Sequence, residues 1–326
     1  MEIKGILITS VAPFDNHMAN GGEKLLGNAS SIKRRPDGKV YISGQMQRHV
    51  LFSAIDRLNQ ADPSKGETIV SNGDGISNKI ELDLRADMGG FMHPSKGDYS
   101  GRRTAPLSVT PATAIEQSEI GRDLLIRLST NIKGEKAYSD GYLIKENDAD
   151  GSDPKKQALA IKEFSQSDQM HMNFFLDVSA LGLSKAFKYE NQFHIETLYF
   201  KHVKEEERIR RVRLFIEATH SMNDYANQAR NAVCGEPQKV LIVFDENLSR
   251  KAARFFIGND IQRKNILTEL EARGSIYFYG DDTEGETSVY QAYQNAIEFL
   301  TQNSLYDPSE GDESVLTFAE AFEKVT

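Results

Sequence analysis

The chain has 326 residues, 39% of them hydrophobic and 27% charged, with a formal net charge of -9 and a single cysteine, Cys234. That length and balance allow a substantial buried core and exclude a disulfide-built scaffold; no apolar run is long enough for a membrane helix and no Cys/His spacing suits a metal, so a reducing, cytoplasmic setting without cofactor or membrane is expected. The charge is uneven: residues 281–326 hold eleven carboxylates against Lys324, a balance of -10, which leaves the first 280 residues at +1 with basic clusters at 33–35, 102–103 and 208–213. Net acidity therefore does not exclude a nucleic-acid partner. The acidic end is expected to touch a neighbour's basic surface or to keep the chain soluble.

Residues 2–14 are apolar and β-branched and read as a buried first strand. They lack the basic start and small-residue cleavage site of a signal peptide. Residues 15–28 are polar and glycine-containing and read as a loop. Lys33, Arg34 and Arg35 precede Pro36-Asp37-Gly38, a turn sequence in which Pro fixes φ and Gly accepts φ > 0. Val40, Tyr41 and Ile42 then form a short strand, and Ser43 takes the N-cap position of a helix whose Met46, Val50, Leu51, Ala54, Ile55 and Leu58 recur at helical spacing toward the core. Gln45, Gln47, Arg48 and His49 are left in the exposed first turns. Helix N–H groups, the positive end of the helix dipole and guanidinium groups converging there suit a phosphate chain. A capped surface helix behind a solvated basic turn accounts for the same residues equally well.

Further along, 60–75 reads as a loop, 78–85 as an alternating half-buried strand, 93–103 as an insertion tipped with Arg102 and Arg103, and 133–154 as an exposed excursion rich in Gly and Asp. A strand at 171–181, an amphipathic helix at 204–222 burying Val212, Phe215, Ile216 and Thr219, and an apolar strand at 239–244 follow. Helices at 260–273 and 289–300 flank a strand at 275–279. Strand, loop, strand and helix in that order open a β-α-β-β-α-β unit of the ferredoxin-like or RNA-recognition type, an α+β fold. The chain exceeds that bare module, so the excess must be insertions or an added subdomain. Gly73-Asp74-Gly75 and Gly89-Gly90 lack the Lys-Ser/Thr ending of a nucleotide-phosphate loop. His171 and His194 lie in strand-like segments and read as structural, whereas His49 borders the basic turn and reads as a contact residue.

The first strand together with RRPDGKVYISGQMQRHVLFSAI at 34–55 resembles the backbone subunit of type I CRISPR surveillance complexes (Cascade), the Cas-seven family, in its DevR-like branch. Two later stretches agree. ADMGGFM at 86–92 with TAPLSVTPATAI at 104–115 is similar to that family's Asp-Gly segment and its following core strand, and NQARN at 227–231 leading into 239–244 is similar to its late Gln-Ala-Arg element. The stretch before that element, 219–226, departs from the family's Gly-rich approach. The resemblance implies an RNA-recognition-type core of the RAMP superfamily with inserted finger and thumb elements: a first core half at 1–59, a finger region at 60–165, a second half with a thumb-like insertion at 166–280, and an acidic helical end at 281–326.

It also implies a non-catalytic subunit that binds CRISPR guide RNA (crRNA), polymerises head to tail along it, and presents it to a target DNA strand beside other Cascade subunits. The insertions at 60–75, 92–103 and 133–165 are candidates for reaching a neighbour or the target. Candidate RNA contacts are Lys33, Arg34, Arg35, Ser43, Gln45, Gln47, Arg48, His49, Arg102, Arg103, Asn227, Gln228 and Arg230. Two other readings stand beside this one: a metal-dependent ribonuclease of the type III kind acting through Asp15, and an interaction protein without nucleic acid whose basic patches are salt-bridged faces. Asp87 reads as an ordering residue for the turn before Gly89-Gly90.

Overall fold

The first long strand is apolar on both faces, and the rest of the chain is arranged to cover both. The computed structural model describes residues 1–24, 29–71, 77–93, 101–128, 138–139, 142–143, 157–228, 231–309 and 314–323. In chain order its main elements are β1 (Gly5–His17), α1 (Gly44–Ala61), α2 (Leu84–Gly89), β2 (Leu107–Val109), β3 (Ala112–Ala114), β4 (Ile120–Leu128), β5 (Gln157–Asp177), β6 (Leu183–Glu190), β7 (Phe193–Lys201), α3 (Glu205–His220), β8 (Lys239–Asp245), α4 (Asp260–Ala272), β9 (Ile276–Asp281) and α5 (Val289–Thr301).

β1 runs antiparallel between β5, in register from His17↔Ser165 to Gly5↔Asp177, and β8, from Val11↔Lys239 to Gly5↔Asp245. β2 and β3 pair antiparallel with the far side of β5, and β9 closes the other edge against β8. The central order is therefore β9-β8-β1-β5-β2/β3. α1 connects β1 to β2, and α3 lies between β5 and β8 in the chain, so the path is β-α-β-β-α-β.

Period-2 alternation sorts the core into two layers. Ile6, Ile8, Ala12 and Phe14 join Met170, Met172, Phe174, Val240, Ile242 and Phe244 under α1, α3 and α5. Leu7, Val11, Phe175, Leu241 and Val243 face the other way, where Ala252, Phe255, Phe256 and α4 cover them. That second face of the central sheet is thus closed in part.

Local chemistry sets the helix starts. Ser43 Oγ accepts the Met46 amide at 3.3 Å, and Asn259 and Gln262 form a reciprocal capping box on α4. The strand expected at 78–85 is instead a turn leading into α2. Asp83 captures the Arg85 amide at 2.9 Å and the Ser71 amide at 3.2 Å, and this local cap outweighs the alternation. Within the stretch 15–28, expected to be loop, residues 15–24 carry the end of β1 and a short pairing of Gly21–Lys24 with Ala29–Ile32, and 25–28 lie outside the described residues. Most of the 133–154 excursion lies outside the described residues.

A second correction concerns charge. Arg208, Arg210 and Arg211 are not a surface cluster but are buried on α3. Asp87, fully buried, accepts Arg103 Nη2 at 2.5 Å, Arg211 Nη1 at 2.7 Å and the Gly182 amide at 2.9 Å. Arg211 also donates to the carbonyls of Ile80 and Glu81, and Arg208 to those of Val178, Leu181 and Tyr306. Asp87 is the anionic hub of this network, a larger role than ordering a turn. Each guanidinium is matched to carboxylates or carbonyls, the condition under which a buried charge is tolerated.

β6 and β7 form a two-stranded hairpin outside the main sheet, turning at Asn191 and Gln192, both with positive φ as a two-residue hairpin loop requires. The acidic C-terminal part folds back on its own chain: Ser304–Leu305 pairs parallel with Glu2–Ile3, and Asp307 meets Lys201 at 2.8 Å. Among the described residues no helix is long and apolar enough to cross a membrane.

Candidate nucleic-acid interface

Three stretches distant in sequence meet at the far end of β1. Asn20 Oδ1 accepts the Ser43 amide at 2.9 Å, which pins the start of α1 beside residues 16–20. Asn227 Nδ2 donates to the Met18 carbonyl at 3.0 Å and Asn231 Nδ2 to that of Asn16. The Tyr225 ring stands edge-on to Phe14 with centroids 5.2 Å apart, and its hydroxyl donates to Gln47 Oε1 at 3.2 Å. The first strand, the helix start and the late Gln-Ala-Arg element therefore belong to one site.

The basic turn stands beside it as a tight hairpin. Arg34 bridges Val40, the Gly38 amide donates to the Arg35 carbonyl at 3.0 Å, and Gly38 takes φ +81°. Arg34 Nη2 lies 3.3 Å from Glu163, and Arg122 Nη2 lies 3.4 Å from the other oxygen of the same carboxylate. The Glu163 side chain is 5% exposed, while those of Arg34 and Arg122 are 43% and 73% exposed. One sunken carboxylate thus orients two guanidiniums whose outer edges face solvent. Arg35 is 3.6 Å from Asp37 with both side chains about half exposed, a pairing that a phosphate can displace at little cost. Lys33, Arg34, Arg35 and Arg122 against Glu163 and Asp37 leave a local excess of positive charge. Arg122 was missed in the sequence; its alternation within β4 was the available signal.

The structure separates the remaining candidates. Ser43 caps α1, Gln45 is exposed, and the amides of Gly44 and Gln45 have no intrahelical acceptor. His49 is exposed, 3.9 Å from Asp224. Gln47 is a correction: it is fully buried, one turn from Leu51 on the packed face, and serves Tyr225 rather than solvent. Arg48 is half-buried, donates to the Gly89 carbonyl and lies with Arg85 over the Phe52 ring. Burial, and then the Arg85 charge, lower its pKa from the ordinary value. Arg103 is the second correction, since its guanidinium is spent on Asp87 and the carbonyls of Ala180 and Leu183. Asn227 and Gln228 organise their own loop, Gln228 Nε2 donating to the Asn223 and Val233 carbonyls at 2.7 Å. Arg230 and the Arg102 side chain lie outside the described residues.

Asp15 Oδ1 accepts the Ser167 hydroxyl at 2.7 Å. Among the described residues no cluster of three or more His, Cys, Asp or Glu side chains could hold a metal. His171 is buried, 3.0 Å from Thr9 Oγ1, and His194 meets Thr197 at 3.0 Å.

A second exposed surface is the β6–β7 hairpin, which the sequence reading placed only as an unspecified thumb-like insertion. Its Phe187, Tyr189, Phe193 and Ile195 are 45%, 61%, 74% and 50% exposed. His194 packs edge-on against Phe187 and Tyr189, and Lys185 Nζ lies 5.6 Å from the Phe187 ring centroid. Such rings on a narrow ribbon present π-faces on which bases can stack.

Among solved structures the chain is similar to a CRISPR RNA-guided surveillance complex chain at 14% identity and TM-score 0.51, covering 90% of this chain and 99% of that one. It is also similar to a chain of a CRISPR RNA-guided surveillance complex, pre-nicking, at 11% identity and TM-score 0.52, covering 91% and 99%. At these identities the likeness is one of fold. No curated protein matches. Residues 17–232 match the model of the CRISPR-associated negative auto-regulator DevR/Csa2, a span that takes in the basic turn, the helix start, the Asp87 segment and the 227–231 element, and the chain belongs to that family.

Proposed function

We propose that this chain is a non-catalytic backbone subunit that binds CRISPR guide RNA and presents it for pairing with a target DNA strand. The β-α-β-β-α-β path, antiparallel throughout in the order β8-β1-β5-β2/β3, supports reading the core as of the RNA-recognition type. Because residues 251–256 and α4 close part of the outer sheet face, the guide runs along the helix-start edge instead of across the sheet. The single observation that carries the reading is the set of outward guanidiniums of Arg34, Arg35 and Arg122 beside the opening turn of α1. Outward donors there grip phosphates and leave base edges free, so that pairing reads the sequence.

Copies associate head to tail along the guide, with other complex subunits at the ends, as heterologous contacts that do not close generate a filament. The β6–β7 hairpin, with its aromatic tip, displaces bases at intervals. The defining experiment is purification of the Lys33→Ala, Arg34→Gln, Arg35→Ala variant. Co-purifying RNA falls at least tenfold while the melting temperature stays near that of the parent. Unchanged RNA content, or a parent chain that carries no nucleic acid as a discrete monomer or dimer, overturns the reading.

A further inference from the structure

We propose that residues 304–309 and 314–318 form a brace that sets the angle at which the β6–β7 hairpin leaves the core. Its functional meaning rests on the reading of that hairpin as the base-displacing element. A two-stranded ribbon standing off a sheet has little stability of its own and takes its direction from its root. Here the two root strands are joined at their base, where the His202 amide donates to the Gly182 carbonyl at 2.9 Å, and each is further held by a different part of the chain.

The β6 side is held by the core. The Gly182 amide donates to Asp87, and Arg103 donates to the Leu183 carbonyl. The β7 side is held by the C-terminal segment. Lys201 bridges Val315 in parallel, the Leu316 amide donates to the Lys201 carbonyl at 2.8 Å, and Lys201 Nζ meets Asp307 at 2.8 Å. His202 joins the two sides: its Nδ1 lies 2.7 Å from the Leu316 carbonyl and its Nε2 2.7 Å from Ser184 Oγ on β6. A carbonyl only accepts, so Nδ1 carries the proton and the neutral ring accepts from the Ser184 hydroxyl at Nε2.

The brace is itself anchored to the N-terminal end of the chain. The Tyr306 amide donates to the Ile3 carbonyl at 2.9 Å, and Arg208 Nη2 donates to the Tyr306 carbonyl at 2.9 Å. At its far end the Phe318 ring meets Phe91 edge-on at 5.2 Å, beside the short ribbon that pairs Phe91 with Arg103. One segment thus ties the first residues of the chain, α3 and the roots of two ribbons together. Without residues 308–326 the β7 side loses the contacts of Lys201 and His202 with residues 315 and 316, while the His202 amide still donates to the Gly182 carbonyl at 2.9 Å, and the hairpin pivots about that joint.

The test measures hairpin angle without RNA. Spin labels at Lys188→Cys, on the hairpin, and Lys264→Cys, on α4, in a Cys234→Ser background give a distance distribution by pulsed dipolar spectroscopy. The full chain gives one narrow distribution; a chain ending at Asp307 gives one about twofold broader. Should that truncation not fold, full-length Leu316→Pro, which removes the N–H donated to Lys201, gives the same broadening. An unchanged width in a folded variant overturns the brace. Failure of guide binding leaves these distances where they are, and failure of the brace leaves RNA co-purification untouched, so the two claims fall separately.

Discussion

The basic residues at 33–35 and those at 208–213 look alike in sequence, yet the fold uses them in opposite ways. Arg208, Arg210 and Arg211 are buried, and each donates to two or more protein acceptors from α3. Arg34 and Arg35 have side chains 43% and 52% exposed and one carboxylate each at 3.3 and 3.6 Å. Satisfied, buried guanidiniums hold elements together; half-satisfied, exposed ones are free to exchange a weak partner for a phosphate. Composition counts the two groups equally. Only the number of acceptors around each tells them apart.

The comparison breaks most visibly at Asp87. Replacing it by Asn leaves the buried Arg103 and Arg211 without their shared counter-charge, and stability falls by about 3–5 kcal/mol in denaturant unfolding. A loss within the error of the measurement contradicts the hub.

Acid titration gives the next effect. Burial lowers the pKa of both His171 and His202 to about 4, so the folded chain holds them neutral. The unfolded chain takes up those protons near pH 6.5, hence the two groups contribute nothing above pH 7 and cost stability increasingly as pH falls from 6.5 to 4. Each is worth up to about 3 kcal/mol at the acid end. His202→Gln flattens the stability profile across that window if the account holds, and leaves its slope intact if it does not.

A smaller change is expected at the hairpin. Phe193→Ala removes a ring that is 74% exposed, so thermal stability is unchanged. Guide affinity falls by about 1–3 kcal/mol, the worth of one stacked base, measured by filter binding. Smallest of all is Asp15→Ala. Guide-loaded assemblies of parent and variant both leave complementary RNA intact in divalent metal, whereas regularly spaced cuts abolished by the substitution establish the ribonuclease reading instead.

What the sequence made legible follows the range of the forces involved. α1, its Ser43 cap and its Val50, Leu51, Ala54 and Ile55 stripe depend on neighbours within a few residues, and they were readable. The paired strands at 239–245 and 276–281 were readable for the same reason, as dense apolar runs between turns. Asp83 misled because its side chain competes with the backbone, so apolar spacing alone gave the wrong element at 78–85. Gln47 and Arg103 misled because their partners lie far along the chain: Tyr225 is 178 residues from Gln47, and Leu183 is 80 from Arg103. Arg122 went unseen since its pairing with Glu163 exists only once β4 and β5 are side by side. The stretches that meet at the start of α1 could be picked out by motif, but their exposed side chains could be sorted from the buried ones only through tertiary packing.

The most direct measurement is the salt dependence of guide RNA dissociation for the parent chain and for the Lys33→Ala, Arg34→Gln, Arg35→Ala variant. If these side chains grip phosphates, the slope of log affinity against log salt becomes shallower by about 2 for the three lost contacts. Weaker binding with an unchanged slope, or no weakening at all, contradicts a guide held at the start of α1.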